Sequence, residues 1–331
     1  SNLALILALA LAGFSPLNAQ EKNDDGYSFT IEKSLPATPV KSQYRSGTCW
    51  SFATTSFLES ELLRTGKGEL DLSELWFARK AYELKAEKYV RMHGSITFSQ
   101  GGLAMDVMHI WKHFGVLPES VYSGRTPGET LPVHGELESV LKGYLDAVIK
   151  NRNRKLSPVW MQGYTGILDA YMGPVPESWN QDGKWNSPTE YADGLGLNPD
   201  DYVSIGSFLH RPFYEDYIIE IPDNWLWNSI ENVSLDEMME VLDHALDKGY
   251  TVCWDADVGE KSYAWNKGVA LMPSTEIRDL SGLEQARWSE LSDKDKQSLF
   301  YDFSSRRVER EITPEIRQKM FDNYQTTDDH L

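Results

Sequence analysis

Two cysteines are the strongest nucleophiles this sequence offers, and one sits where a fold could activate it. Cys49 lies in the run Gln43-Tyr44-Arg45-Ser46-Gly47-Thr48-Cys49-Trp50-Ser51-Phe52. Cys49, Phe52, Ala53, Ser56, Phe57 and Leu63 recur at helical spacing, and Ser46-Gly47 reads as a turn. The pattern predicts a helix over 49–64 with Cys49 in its first turn. A thiol there meets the positive end of the helix dipole, which favours the thiolate, its nucleophilic form. Gly47 lets a substrate backbone come close, and Gln43 can offer a side-chain amide to an oxyanion beside the Cys49 backbone amide. The same residues also fit a cysteine buried beside Trp50 in a core helix. Cys253 reads as core. With only two cysteines the chain is no disulfide scaffold and must be held by its core.

Other chemistry-bearing groups are less organised. His109 and His113 stand four apart, as zinc ligands can, but Glu does not follow the first His, so the zinc-peptidase motif fails and a solvated helix face is expected. His93, His134, His210 and His244 show no partner pattern. Asp255 and Asp257 beside Cys253 read as a turn. No phosphate-binding glycine loop or nucleotide fingerprint is present.

The elements that must position Cys49 are mostly helical. A second helix follows Ser73 as N-cap and presents Leu75, Trp76, Ala78, Tyr82 and Ala86. A third runs from Leu103 through Val107, Ile110, Trp111 and Phe114 and is stopped by Gly115 and Pro118. A fourth carries Leu137, Val140, Leu141, Tyr144, Leu145 and Val148, closed by the basic segment 150–155. Residues 156–232 read as irregular around a short helix near 158–172. Ser234 and Glu237 form a capping box for a further helix ending at Gly249. Tyr250–Trp254 and Gly268–Met272 read as short strands, and Thr313-Pro314-Glu315 opens a late helix within charged sequence over 274–325. Helices first and strands late predict an α+β fold.

Composition narrows the partners. The 331 residues are 41% hydrophobic and 12% aromatic, enough for a sizeable core. Thirty-two basic against 50 acidic residues leave a net charge of −18, which argues against nucleic acid or an anionic bilayer. The apolar run Leu3–Ala12 is too short to span a membrane. Followed by Leu17-Asn18-Ala19, it reads as a secretory signal cut after Ala19, so export to the periplasm or beyond is expected.

Gln43, Gly47, Cys49 and Trp50 resemble the nucleophile signature of papain-like cysteine peptidases, with Ser46 where the family's pattern has its first cysteine. Gly101-Gly102 resembles the family's cleft-lining glycine pair. In papain the histidine follows the cysteine by about 130–150 residues. Here the resembling segment is Thr326-Thr327-Asp328-Asp329-His330, its histidine 281 residues beyond Cys49. With Trp254–Gly259, which resembles the approach to the family's barrel domain, this long spacing resembles the bleomycin hydrolase and aminopeptidase C branch. The resemblance implies a papain-like α+β fold: signal peptide 1–19, a helical left domain with insertion over 20–249, and the start of an antiparallel β-barrel domain, with a helical insertion, over 250–331. The segment bearing the family's orienting Asn is not in the sequence. The resemblance implies a thiol-dependent aminopeptidase acting on peptides, in a cleft with Cys49 on one wall and His330 on the other. Gln43 and the Cys49 amide would form the oxyanion hole, and Trp50, Gly101 and Gly102 would bind substrate. No metal or organic cofactor is expected, and a homo-hexamer is the branch's habit. An endopeptidase using the same Cys and His, and a peptide-binding protein without turnover, are the alternatives.

Overall fold

The computed structural model describes residues 30–152, 155–256, 258, 263, 264, 269, 270, 292 and 313–322. Contacts divide the chain into two compact units, Leu35–Glu260 with Glu311–Leu331, and Ser1–Ser34 with Lys261–Arg310. In the second, the described elements are β6 (Tyr263–Ala264) and β7 (Val269–Ala270), an antiparallel pair.

The first unit is built on five helices: α1 (Cys49–Arg64), α2 (Glu74–Arg91), α3 (Ala104–Phe114), α4 (Gly135–Ile149) and α5 (Trp160–Met172). Their starts and stops follow from side-chain chemistry. Ser73 caps α2 by accepting the Trp76 amide. Gly115 ends α3 at φ 73°, a left-handed conformation that glycine adopts without Cβ strain, and its carbonyl accepts the Trp76 indole N–H at 2.9 Å.

Nearly every face of α2 is covered; Trp76, Phe77, Ala78, Ala81, Tyr82 and Ala86 are all buried. Leu137, Leu141 and Leu145 of α4 meet Tyr164, Leu168 and Met172 of α5 in the same core. Each fully buried Leu contributes about 1.5–3 kcal/mol.

The buried stripe of α1 differs from the face its apolar spacing predicts. Phe52, Ala53, Ser56 and Phe57 are half-buried, whereas Trp50, Ser51, Thr54, Leu58 and Leu62 are buried. Ser51 Oγ donates to the Glu74 carbonyl at 2.6 Å and Thr54 Oγ1 to the Trp50 carbonyl at 2.7 Å. Small polar residues can line a helix interface when backbone carbonyls receive their hydroxyls.

Residues 173–232 contain more structure than their irregular pattern predicts. β1 (Trp179–Gln181) and β2 (Lys184–Asn186) form a hairpin, followed by α6 (Pro188–Leu195) with a Ser187–Glu190 capping box. β3 (Ile205–Gly206), β4 (Asp216–Ile218) and β5 (Ser229–Asn232) make a sheet of order β3-β5-β4, parallel then antiparallel. Buried Asn232 stitches its approach loops, donating to the carbonyls of Phe208, Arg211 and Pro212. α7 (Leu235–Lys248) opens on the expected Ser234–Glu237 box and ends at left-handed Gly249. α8 (Pro314–Asp322) docks on this sheet, with Arg317 donating to the Ser207 carbonyl and Phe321 packing on Phe208 and His210.

The strand predicted over Tyr250–Trp254 is not formed. That segment lies on α1 through side chains instead: Arg64 stacks on the Tyr250 ring at 3.9 Å, and Cys253 Sγ lies 3.6 Å from Thr54 Oγ1. Of the strand predicted over Gly268–Met272, Val269–Ala270 is formed, and the rest lies outside the described residues. No described helix is long and apolar enough to cross a membrane.

Candidate active site

The approach to Cys49 is anchored from below by one lysine. Lys41 Nζ lies 2.9 Å from Glu59 of α1, 2.7 Å from Glu74 of α2 and 2.6 Å from Asp71. Partial burial opposes its charge, but the hydrogen bonds of Asp71, Glu74 and Glu59 outweigh that and hold the ammonium above the ordinary lysine value. Residues 43–48 then fold into a tight turn. Gln43 Nε2 donates to the Ser46 carbonyl at 2.9 Å, Ser46 Oγ donates to the Gln43 carbonyl at 2.8 Å, and the Ser46 and Thr48 hydroxyls are 2.6 Å apart. Tyr44 is held at φ 47°, costly for a residue with a Cβ. Its conformation is fixed by the next residue: the Arg45 amide donates to the Pro132 carbonyl, and the His134 amide donates to the Arg45 carbonyl.

Cys49 is the first residue of α1 and is half-buried. The helix's own ladder begins with the Ser51 and Phe52 amides, which donate to the Thr48 carbonyl. The Cys49 amide therefore lies ahead of that ladder, at the positive end of a 16-residue helix. The first turn contains no acidic side chain to compete with a thiolate for that end. Cys49 and Cys253 are not joined in a disulfide. Both cysteines are half-buried; burial pushes the Cys253 thiol up, whereas Cys49 heads a helix.

Gln100 ties the glycine pair to this loop with three groups at once. Its Oε1 accepts the Gly47 amide at 2.7 Å, its backbone carbonyl accepts the Trp50 indole N–H at 3.0 Å, and its Nε2 donates to Glu138 at 2.7 Å. Gly101 and Gly102 follow directly. A Cβ on Gly102 would lie 2.8 Å from the Trp50 ring and 2.7 Å from Asp106 Oδ2, and one on Gly101 would overlap the Asp223 carboxylate. At Gly102 the buried Trp50 ring requires glycine, and at Gly101 a Cβ would have to displace the Asp223 carboxylate.

Beneath the pair lies a buried polar cluster. Lys85 Nζ donates to the carbonyls of Ser99, at 3.1 Å, and Gly101. Burial lowers the pKa of Lys85. Burial also pushes the Asp106 carboxyl up to about 7, against the pull of Lys85, the Leu103 amide and the Trp225 indole. Asp106 Oδ2 accepts the Leu103 amide at 3.1 Å and the Trp225 indole N–H at 2.5 Å, while Oδ1 is buried without a partner.

Gln100, directly before Gly101 and Gly102, thus bonds to Gly47 and Trp50 on either side of Thr48-Cys49, while Gln43 bonds within the preceding turn to Ser46. Trp50, expected to touch substrate, is instead 1% exposed and acts by packing under Gly102. Gly102 is also buried, so only Gly101 of the pair is partly open. His330 and the rest of 326–331 lie outside the described residues, as does the expected leader 1–19. His109 and His113 share one α3 face with rings 4.5 Å apart, and no group of three or more metal-ligating side chains occurs among the described residues. His134, unassigned from sequence, is buried beneath the turn with Nδ1 3.1 Å from the Tyr82 hydroxyl. Gln100, Lys85, Asp106 and Asp223 were not legible as site residues. Only the position of Gln100, next to Gly101-Gly102, could have drawn attention to it.

Neither a protein-family model nor a curated protein matches the chain. Among solved structures it is similar to PepW from Lactobacillus rhamnosis HN001 (DR20), a crystal structure determined as the selenomethionine derivative, with a TM-score of 0.51 at 19% identity. The match covers 67% of this chain and 59% of that one, so the chain spans about three-fifths of the PepW chain. At this identity the likeness is one of fold: a mixed α and β chain with a PepW-like arrangement of helices and small sheets.

Proposed function

We propose that this chain is a thiol-dependent peptide hydrolase, acting as an aminopeptidase with Cys49 as its nucleophile. The observation that carries this is the placement of Cys49 at the head of α1, in a strained turn clamped by Gln100 to the only partly open glycine of the pair. The PepW-like fold and the sequence resemblance to the aminopeptidase C branch support the same reading.

The Cys49 thiolate attacks the carbonyl carbon of the first peptide bond, forming a C–S bond and an oxyanion. The Cys49 amide and Gln43 donate to that oxyanion. Gln43 Nε2 has two protons, one of which goes to Ser46, leaving the other for this role. His330, assigned from the resemblance of 326–330, gives its proton to the leaving amine as the C–N bond breaks. It then takes a proton from water, which attacks the thioester, releases the free amino acid and restores the thiolate. The chemistry calls for no metal or organic cofactor.

The test is fluorophore release from free and N-acetylated aminoacyl substrates by the chain and its Cys49→Ala variant. The reading predicts turnover of free-amine substrates that falls to background in the variant. Turnover persisting in Cys49→Ala would contradict it, and equal cleavage of acetylated substrates would convert it to an endopeptidase reading.

A further inference from the structure

The second half of α3 presents two imidazoles that the hydrolytic scheme leaves idle. His109 and His113 are four residues apart, so the helix places them on one face, a turn from each other. Their ring centres are 4.5 Å apart and the ring planes are inclined at 54°. His109 is half-buried and His113 exposed. Among the described residues neither ring makes a hydrogen bond, and the His109 nitrogens are not sealed from solvent. A neutral imidazole in that condition has a ring lone pair available to an outside partner. Lys112, next to His113 in the chain, is paired with Asp200, its Nζ 2.6 and 2.8 Å from the two carboxylate oxygens. That ion pair offsets the positive charge nearest the rings in sequence.

Neutral imidazoles are ligands for divalent transition metals, and two of them one helical turn apart converge on a single ion. With metal–nitrogen bonds of about 2.0–2.1 Å, a shared ion stands roughly 3.2 Å from each ring centre. Ring centres 4.5 Å apart then subtend about 90° at the ion. That is the cis angle of tetragonal or octahedral coordination, which suits Cu²⁺ and Ni²⁺, and it is narrower than the tetrahedral angle of structural zinc. The location also suits a cation. His113 lies in the last turn of α3, at the negative end of the helix dipole, on a chain of net charge −18. We propose that His109 and His113 form a two-histidine chelate for a divalent ion of the Cu²⁺ or Ni²⁺ type, with water completing its coordination. The ion clips together the last turns of the helix that follows the glycine pair and carries Asp106. It takes no part in peptide hydrolysis, and the assignment stands independently of the peptidase reading.

The test reads metal binding and uses no turnover. Ni²⁺ is titrated calorimetrically into the full chain, free of any affinity tag and carrying Cys49→Ala and Cys253→Ser so that thiolates do not compete. The same titration is run with His109→Gln or His113→Gln added, and thermal unfolding checks that each variant is folded. We expect one tight equivalent, weakened about tenfold or more by either substitution, because a two-point chelate loses one of its ligands. Excess Mg²⁺, which seeks oxygen ligands, should not displace it. With Cu²⁺ as probe, electron paramagnetic resonance should show two imidazole nitrogens on the ion in the parent and one in each variant. His113 is exposed, so His113→Gln still decides the matter if His109→Gln fails to fold. No binding by the parent, an affinity unchanged in His113→Gln or in a folded His109→Gln variant, or displacement by Mg²⁺ would overturn the site.

Discussion

Two lysines support the two sides of the candidate site, and the chain treats their charge in opposite ways. Lys41, 28% exposed, is surrounded by three carboxylates and held more firmly protonated than a free lysine. Lys85, 2% exposed, has two carbonyls as its hydrogen-bond acceptors, and burial weakens its hold on a proton. Asp106 beside it is pushed toward its neutral form. The difference shows that a buried ammonium is kept strongly charged where carboxylates touch it, not where a segment of backbone merely needs a donor. The first arrangement anchors the turn that presents Cys49; the second fills carbonyls under Gly101 that would otherwise be buried unsatisfied.

The comparison breaks most readily at Lys41. Lys41→Met leaves Glu59 and Glu74 buried without their cation, and we expect a loss of about 3–5 kcal/mol in urea unfolding. A loss below that of the Lys85 variant would contradict the comparison.

His134 offers a third solution, a buried base that stays neutral. Burial lowers its pKa from 6.5 to about 4. The unfolded chain therefore binds the extra proton first as pH falls. The neutral-histidine contribution is fully present above about pH 6.5 and is lost progressively down to about pH 4, amounting to about 3 kcal/mol. Asp106 and Glu119, both raised to about 7, act in the opposite sense, favouring the folded state at the acid end and losing that contribution as pH rises toward 7. The His134 part is isolated by comparing urea midpoints of the chain and His134→Gln across pH 4–7. Parallel pH profiles would count against it.

Lys85→Met should cost less than Lys41→Met, about 1–3 kcal/mol, because Lys85 bonds directly to two carbonyls and touches Asp106 only through a longer-range attraction. As a control far from both lysines, Ser234→Ala removes the α7 cap and should cost about 1 kcal/mol without affecting turnover.

What could be read in advance follows the range of the interactions involved. Helix ends are encoded within four residues, so Ser73, Gly115, Ser234, Gly249 and Pro314 were legible. The turn before Cys49 is local in its Gln43–Ser46 bonds, but its ties to Gln100, Pro132 and His134 are not. The Asp223–Gly101 and Trp225–Asp106 contacts join positions more than a hundred residues apart, and no periodicity announces them. Strands of two to four residues in the 205–232 sheet are too short for alternation to show. Apolar spacing misplaces the α1 face because Ser51 and Thr54 are buried by hydrogen bonding to carbonyls, which such spacing does not register. Tyr250–Trp254 has strand composition, but it packs on α1 by its side chains instead of pairing.

The most direct measurement of the central claim compares the two thiols of one molecule. The chain is treated with a substoichiometric peptidyl electrophile that alkylates thiolates, and the modified cysteine is mapped by peptide mass spectrometry. The account predicts rapid, single labelling at Cys49, with Cys253 following only after unfolding, since one thiol heads a helix and burial pushes the other up. Labelling of Cys253 at an equal or faster rate in the folded chain, or a Cys49 that reacts no faster than it does after unfolding, would contradict it.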